Sequence, residues 1–276
     1  FCQVYDITAA GNFEGKSIPN LINRAIDEQE YAKLAGARQQ LFNQRQKRMA
    51  PYKDDKILLA WNGLMTAALA IGYRVLKKPE YSKAFRAAIK FVRDKMCRDD
   101  GRLMARYRDN EAAYLAYSAD YSFLIWGLLE SYQATYETEF LNLAIKFSDE
   151  QIKYFWDNEN GGMYFYGSDA ESLLTKPKEF YDSALPSDNS VALANLFQLA
   201  AITGDDKWED YAHKLKDTMS GRAALSPLSH AYFLSSVLAR EGGGREVIIT
   251  GAENNPLTDE MLGFVQNSFL PDTVSI

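Results

Sequence analysis

The chain has 276 residues, of which 47% are hydrophobic and 25% charged. That is a globular composition, long enough to bury on the order of 75% of the unfolded surface without covalent staples. The formal net charge of -6, with both signs interspersed, argues against nucleic acid or an anionic membrane as the main partner. Cys2 and Cys97 form no CxxC pair, so neither a disulfide framework nor a zinc knuckle is expected. No metal or other cofactor is expected either, and the cysteine usage suits a reducing, cytoplasmic setting. No run of about 18 apolar residues suggests a membrane span.

The sequence opens on FCQVYDIT and closes in the strand-like LPDTVSI, so both ends read as cuts through a longer protein. Its first twenty residues, with GNFEG and SIPN, are rich in turn formers. A polar helix is expected over 28–48, ended by Pro51, and the basic stretch 38–53 reads as a solvated helix face. From Asn62 the pattern changes. LMTAALAIGYRVL is apolar nearly all round, which marks a buried helix; EYSKAFRAAIKFVRDKM carries an apolar stripe opposite its charges. The couplet returns as ADYSFLIWGLLESYQATY with FLNLAIKFSDEQIKYFW, and again as SVALANLFQLAAIT with KWEDYAHKLKDTM. A fourth apolar helix is expected near Ser226.

Inner and outer helices alternating at spacings near 60 residues predict a mainly α fold, an (α/α) toroid over residues 1–242. Two β-prone inserts, RLMARYRD and GGMYFYGS, follow outer helices and are expected to rise as hairpins beside the next inner helix. Residues 243–276 read as the start of a β-α-β segment. Its EGGGR glycines precede the strand, so they form no dinucleotide fingerprint.

The starts of the inner helices gather polar and aromatic residues. The first has Asp54, Asp55, Trp61 and Asn62; the second has Tyr117, Asp120 and Tyr121; the third has Glu179, Tyr181, Asp182, Ser187 and Asn189. In a ring these converge on one rim. Asn62 suits an N-cap, as do Ser187 or Asp188. Trp61 suits either a hydrophobic staple or a ligand platform. Asp120 falls inside a helical pattern, where capping does not account for it. Adjacent side chains diverge on a helix or strand, so Asp54 and Asp55 are not a mutual pair, and a partner comes from Asp120 or Asp182. Two carboxyls about 5–5.5 Å apart would retain, and about 6.5–9.5 Å apart would invert, a glycosidic centre. Tyr164 and Phe165 offer rings for sugar stacking. Of the two histidines, His213 lies on a charged outer helix and His230 on the fourth inner one, so a two-histidine epimerase lacks its second inward base.

The string RQKRMAPYKDDKILLAWNGLM resembles the YyaL-like thioredoxin-domain-containing family, related to the spermatogenesis-associated protein of animals. GNFEGKSIPNL, ADYSFLIWGLLESYQATY, Gly161-Gly162 and PSDNSVALANLFQL match its further blocks in order. The resemblance implies a six-hairpin glycosidase-like toroid accompanied by a covalently linked thioredoxin-like domain. Asp54, Asp55, Trp61, Asn62, Asp120, Ser187 and Asn189 fall on its motif positions, whereas Asp188 stands where a glycine is usual. The function expected is carbohydrate-active, glycosidase- or epimerase-like, with a sugar or glycan ligand. Asp54, Asp55, Asp120 and Asp182 are the candidate catalytic groups; Trp61, Asn62, Tyr121, Tyr164, Phe165, Ser187 and Asn189 are the candidate substrate contacts. The alternative is a non-catalytic ligand- or protein-binding toroid.

Overall fold

The computed structural model describes residues 1–171, 173–252 and 255–276, and the chain forms two units, Phe1–Asp54 and Asp55–Ile276. In the first, α1 (Glu28–Lys33) is capped by Asp27, whose carboxylate accepts from Glu30 N–H at 2.7 Å. Leu34 then ends α1 and starts α2 (Ala35–Gln46). The single helix expected over 28–48 is therefore two. Neither half buries a residue, so no apolar stripe holds the helix through Leu34.

The second unit opens with β1 (Ile57–Leu58), which runs directly into α3 (Leu59–Leu76). α4 (Pro79–Lys95) follows with Pro79 in its first turn and Phe85, Ile89 and Val92 buried on one stripe. β2 (Met104–Arg108) and β3 (Glu111–Leu115) form the expected hairpin, with Arg106 opposite Ala113. Asp109 and Asn110 both take positive φ at its two-residue turn, as the twist of a tight hairpin demands. β1 pairs antiparallel with β2 and completes a three-stranded sheet. Next come α5 (Ser118–Thr135), buried almost all round, and the amphipathic α6 (Thr138–Phe155). α7 (Asp188–Thr203) and α8 (Asp206–Leu225) repeat the couplet.

Four expectations change here. The first inner helix starts at Leu59, not Asn62. It is also not buried all round, since Trp61, Met65, Val75 and Leu76 are exposed. The GGMYFYGS insert forms no hairpin; an isolated bridge joins Trp156 to Met163. The fourth inner helix is preceded by a 3₁₀ turn, Pro227–His230, so that α9 spans only Ala231–Glu241. The C-terminal segment is β-α-β as expected: β4 (Arg245–Val247), α10 (Pro256–Asn267) and β5 (Thr273–Ser275), with the strands parallel.

Helices α3, α5, α7 and α9 are the inner set and α4, α6 and α8 the outer. Ala60 meets Asp120 at one end of the α3–α5 contact, and Arg74 meets Glu130 at the other, so the two run parallel from one level. A Cβ on Gly63 would lie 2.6 Å from Leu124 N, and one on Gly127 2.7 Å from Gly63 O. These helices touch backbone to backbone, and only glycine allows it. Gly63→Ala is expected to cost about 2 kcal/mol or more, the scale of core overpacking. Gly221→Ala, with nothing within 4 Å of the added carbon, is expected to gain about 0.5–1 kcal/mol. Urea unfolding of both variants checks the contrast.

Candidate functional site at the inner-helix N-termini

A helix start leaves main-chain N–H groups without intrahelical partners, and Asp120 serves two starts at once. It sits at the third position of α5, where one oxygen accepts from Tyr117 N–H at 2.8 Å and the other from Ala60 N–H of α3 at 2.9 Å. Capping therefore does account for Asp120, because at the third position of α5 its carboxylate reaches back to the main chain before the helix. Burial raises its pKa to about 6, against the lowering effect of the two N–H donors.

Asp182 performs the same task between α7 and α9. Its Oδ1 accepts from Ser187 N–H at 2.9 Å, and its Oδ2 accepts from Tyr232 and Phe233 N–H at 2.8 and 3.2 Å. Ser187 is the N-cap of α7 and accepts from Ser190 N–H. Asn189, wholly buried, accepts from Met163 N–H at 2.7 Å and donates to the carbonyls of Met163 and Glu179. It ties the glycine insert to α7.

Asp188 is the group that sequence reasoning set aside. Its Oδ1 accepts from Asn189 N–H, while its Oδ2 is buried without a hydrogen-bond partner among the described residues. Ser118 Oγ is buried in the same state; it lies close enough to lower the Asp188 pKa but completes no well-aligned bond. Burial dominates and pushes the Asp188 pKa up to about 7. The signal was present in the sequence, as an aspartate at the first position of a helix that turns mostly apolar from Val191 onward.

Asp55 pairs with Arg108 of β2 at 3.1 Å and stays exposed, while Asp54 is an exposed residue at the end of the first unit. Trp61 is 64% exposed, which excludes a buried staple. Asn62 lies inside the first turn of α3 and donates to Leu58 O at 2.8 Å, so it is not the N-cap. Tyr121 is fully buried: its hydroxyl accepts from Arg102 at 3.0 Å and donates to Glu150 of α6 at 3.1 Å. That leaves it no surface for a ligand. Tyr164 and Phe165 are half-buried; Lys178, held by Asp157 at 2.6 Å, lies 4.8 Å from the Tyr164 ring centroid, and Phe165 packs on Tyr117 at 5.0 Å.

In place of those rings, the exposed aromatics at the helix starts are Trp61, Tyr117 at 39% and Tyr181 at 58%. His230 is buried 5.1 Å from Tyr181, with Nδ1 on Ser226 O at 2.8 Å. His213 is on the surface, 3.6 Å from Glu209. The rim thus runs from Ala60 through Asp120, Tyr117, Ser118 and Asp188 to Asp182 and Tyr232. Among the described residues no three His, Cys, Asp or Glu side chains cluster to hold a metal ion, and no helix is long and apolar enough to cross a membrane.

Comparison with known proteins gives this architecture a lineage. Human spermatogenesis-associated protein 20 is 30% identical over 250 residues, covering 86% of this chain and 32% of that protein. The rat protein is 29% identical over the same length. The expected resemblance to the spermatogenesis-associated family holds over 86% of the chain. An uncharacterized protein of Caenorhabditis elegans is 23% identical over 96% of the chain and 40% of its own length. The chain spans about a third of the length of the mammalian relatives. No family model matches it.

Among solved structures, cellobiose 2-epimerase from Bacillus thermoamylovorans superposes with a TM-score of 0.51 at 16% identity, over 61% of this chain and 45% of that one. A glycoside hydrolase family 76 mannosidase from Bacteroides thetaiotaomicron gives 0.52 at 20%, over 62% and 46%. At such identities the likeness concerns the fold, and the fold is the (α/α) toroid of glycosidases and epimerases.

Linkage fixes how Asp188 affects stability. Its folded pKa of about 7 lies above the ordinary unfolded value of about 3.9. The folded state therefore holds the proton more tightly, and stability falls as pH rises from the lower value through the upper. Asp188→Asn, which keeps the shape and never ionises, is expected to escape this fall. Its stability relative to the parent should rise by at least about 1 kcal/mol between pH 5 and pH 8. Urea unfolding at both pH values measures it, and parallel pH slopes would remove the assignment.

Proposed function

We propose that this chain supplies the sugar-binding rim of a carbohydrate-active, glycosidase- or epimerase-like protein. The observation that carries the reading is the exposure of Trp61, Tyr117 and Tyr181 at the mouths of successive inner helices. Large apolar rings left open on a rigid helical frame present faces for stacking against a pyranose ring, and their polar edges suit its hydroxyls. The toroidal likeness to an epimerase of cellobiose and to a mannosidase supports β-glucosides and mannosides as the ligands to try.

Acid–base roles pass from Asp120 and Asp182 to Asp55 and Asp188. In the first two, both oxygens are held by main-chain N–H groups, so neither is available for proton transfer without undoing a helix start. Asp55 is the exposed rim carboxylate. Asp188 has an uncommitted oxygen and a pKa near neutrality, the range that suits a general acid. The Asp55–Arg108 pair also favours a second reading, a sugar-binding toroid without turnover, because the arginine holds that carboxylate in a structural contact.

Calorimetric titration with cellobiose and manno-oligosaccharides separates these outcomes. Trp61→Ala is expected to weaken binding about tenfold, a loss of about 1.4 kcal/mol. Asp55→Asn and Asp188→Asn are expected to bind normally and to abolish turnover. Binding that is lost in Trp61→Ala, with no turnover by any variant or the parent, selects the second reading. If no oligosaccharide binds saturably, or Trp61→Ala binds like the parent, the rim is not a sugar site.

A further inference from the structure

Ten residues beyond Asp120 along α5, about 15 Å at the rise of a helix, Glu130 interrupts an otherwise apolar run. Its carboxylate is 3.2 Å from Arg74 of α3 and accepts from Trp126 Nε1 at 3.4 Å. Trp126 in turn packs on Tyr232 of α9 at 5.4 Å. Glu130, Arg74 and Tyr232 face a cavity of about 370 Å³ lined by the inner helices and by the turn that leads into β5. That size falls within the span of small-molecule pockets. The cavity lies toward the C-terminal ends of the inner helices, away from the rim.

The chemistry of its wall points to one class of ligand. Three arginines and three carboxylates line it, and they pair: Arg74 with Glu130, Arg240 with Glu246, Arg245 with Asp272. The wall therefore offers no net charge to draw in an ion. It does offer spare hydrogen-bonding groups. The Tyr232 hydroxyl and the Gln198 amide line it as donors and acceptors, and among the described residues Glu130 Oε2 is buried with its charge paired but without a hydrogen bond. Phe197 and Val274 add apolar surface. Burial also raises the Glu130 pKa, against the opposing effect of Arg74, as expected for a carboxylate largely withdrawn from water. Closely spaced donors and acceptors against an apolar wall match a molecule with several hydroxyls on a carbon ring, whose hydroxyls both donate to Glu130 and accept from Arg74, Tyr232 or Gln198.

We propose that this cavity is a second binding site, independent of the rim, for a neutral polyhydroxy molecule of monosaccharide or cyclic-polyol size.

The Trp126 indole N–H, bonded to Glu130, reports occupancy directly. D-mannose, D-glucose and myo-inositol would each be titrated into the ¹⁵N-labelled full chain while the indole resonances are followed. At least one probe is expected to shift the Trp126 resonance saturably. Glu130→Gln and Ala201→Leu, the second filling the cavity from α7, are each expected to weaken that response about tenfold or more. Trp61→Ala is expected to leave it unchanged, so a failed rim and a failed cavity give different results. The proposal is overturned if no probe gives a saturable Trp126 shift, if the shift survives in either cavity variant while the spectrum stays native, or if it disappears with Trp61→Ala.

Discussion

Two carboxylates hold the inner helices together at their N-terminal ends. Asp120 joins Ala60 of α3 to Tyr117 at the start of α5, and Asp182 joins Ser187 at the start of α7 to Tyr232 and Phe233 of α9. A helix N-terminus carries partial positive charge and unpaired N–H groups, so one carboxylate satisfies two helices and is itself stabilised there. The bridge also sets level. With α3 and α5 starting together, Gly63 comes opposite Phe123 and Leu124, and Gly127 opposite Gly63. Displacing either helix by one residue would bring side chains into that backbone contact.

This construction explains why the rim looks catalytic in sequence. A toroid whose inner helices are joined by carboxylates needs an aspartate near each helix start, and a glycosidase needs aspartates in the same place. The two demands leave the same residue type at the same positions. They part in geometry: a carboxylate holding two or three main-chain N–H groups supports the frame, whereas Asp55 and Asp188 keep an exposed position or an uncommitted oxygen. The rings divide in the same manner. Tyr121 is spent on Arg102 and Glu150, deep between α5 and α6, while Trp61, Tyr117 and Tyr181 stay open.

The inner helices carry polar groups at both ends. At the rim, loops and helix starts present rings and carboxylates outward. Toward the other end, the turn into β5 helps to close a balanced polar chamber over Glu130, and Gln133 anchors β5 by bonding the main chain and hydroxyl of Ser275. A charged residue inside an apolar helix persists only when paired. Arg74 provides that pairing from the neighbouring helix.

Apolar helices alternating with striped ones determined the paired inner and outer helices, because helical period is a property of nearby residues. The β2–β3 hairpin and the closing β-α-β segment were legible for the same reason, and so was the family, from RQKRMAPYKDDKILLAWNGLM. The residues that begin each helix were legible as a group. Their individual roles were not. Whether Asp120 caps or catalyses depends on Ala60, sixty residues away, and whether Tyr121 meets a ligand depends on Arg102 and Glu150. The α3 start moved from Asn62 to Leu59 because its N–H groups found a partner on α5. Local pattern determines which segments become helices. Which side chain spends its hydrogen bonds on the frame, and which keeps them uncommitted, was decided only when distant segments came into contact.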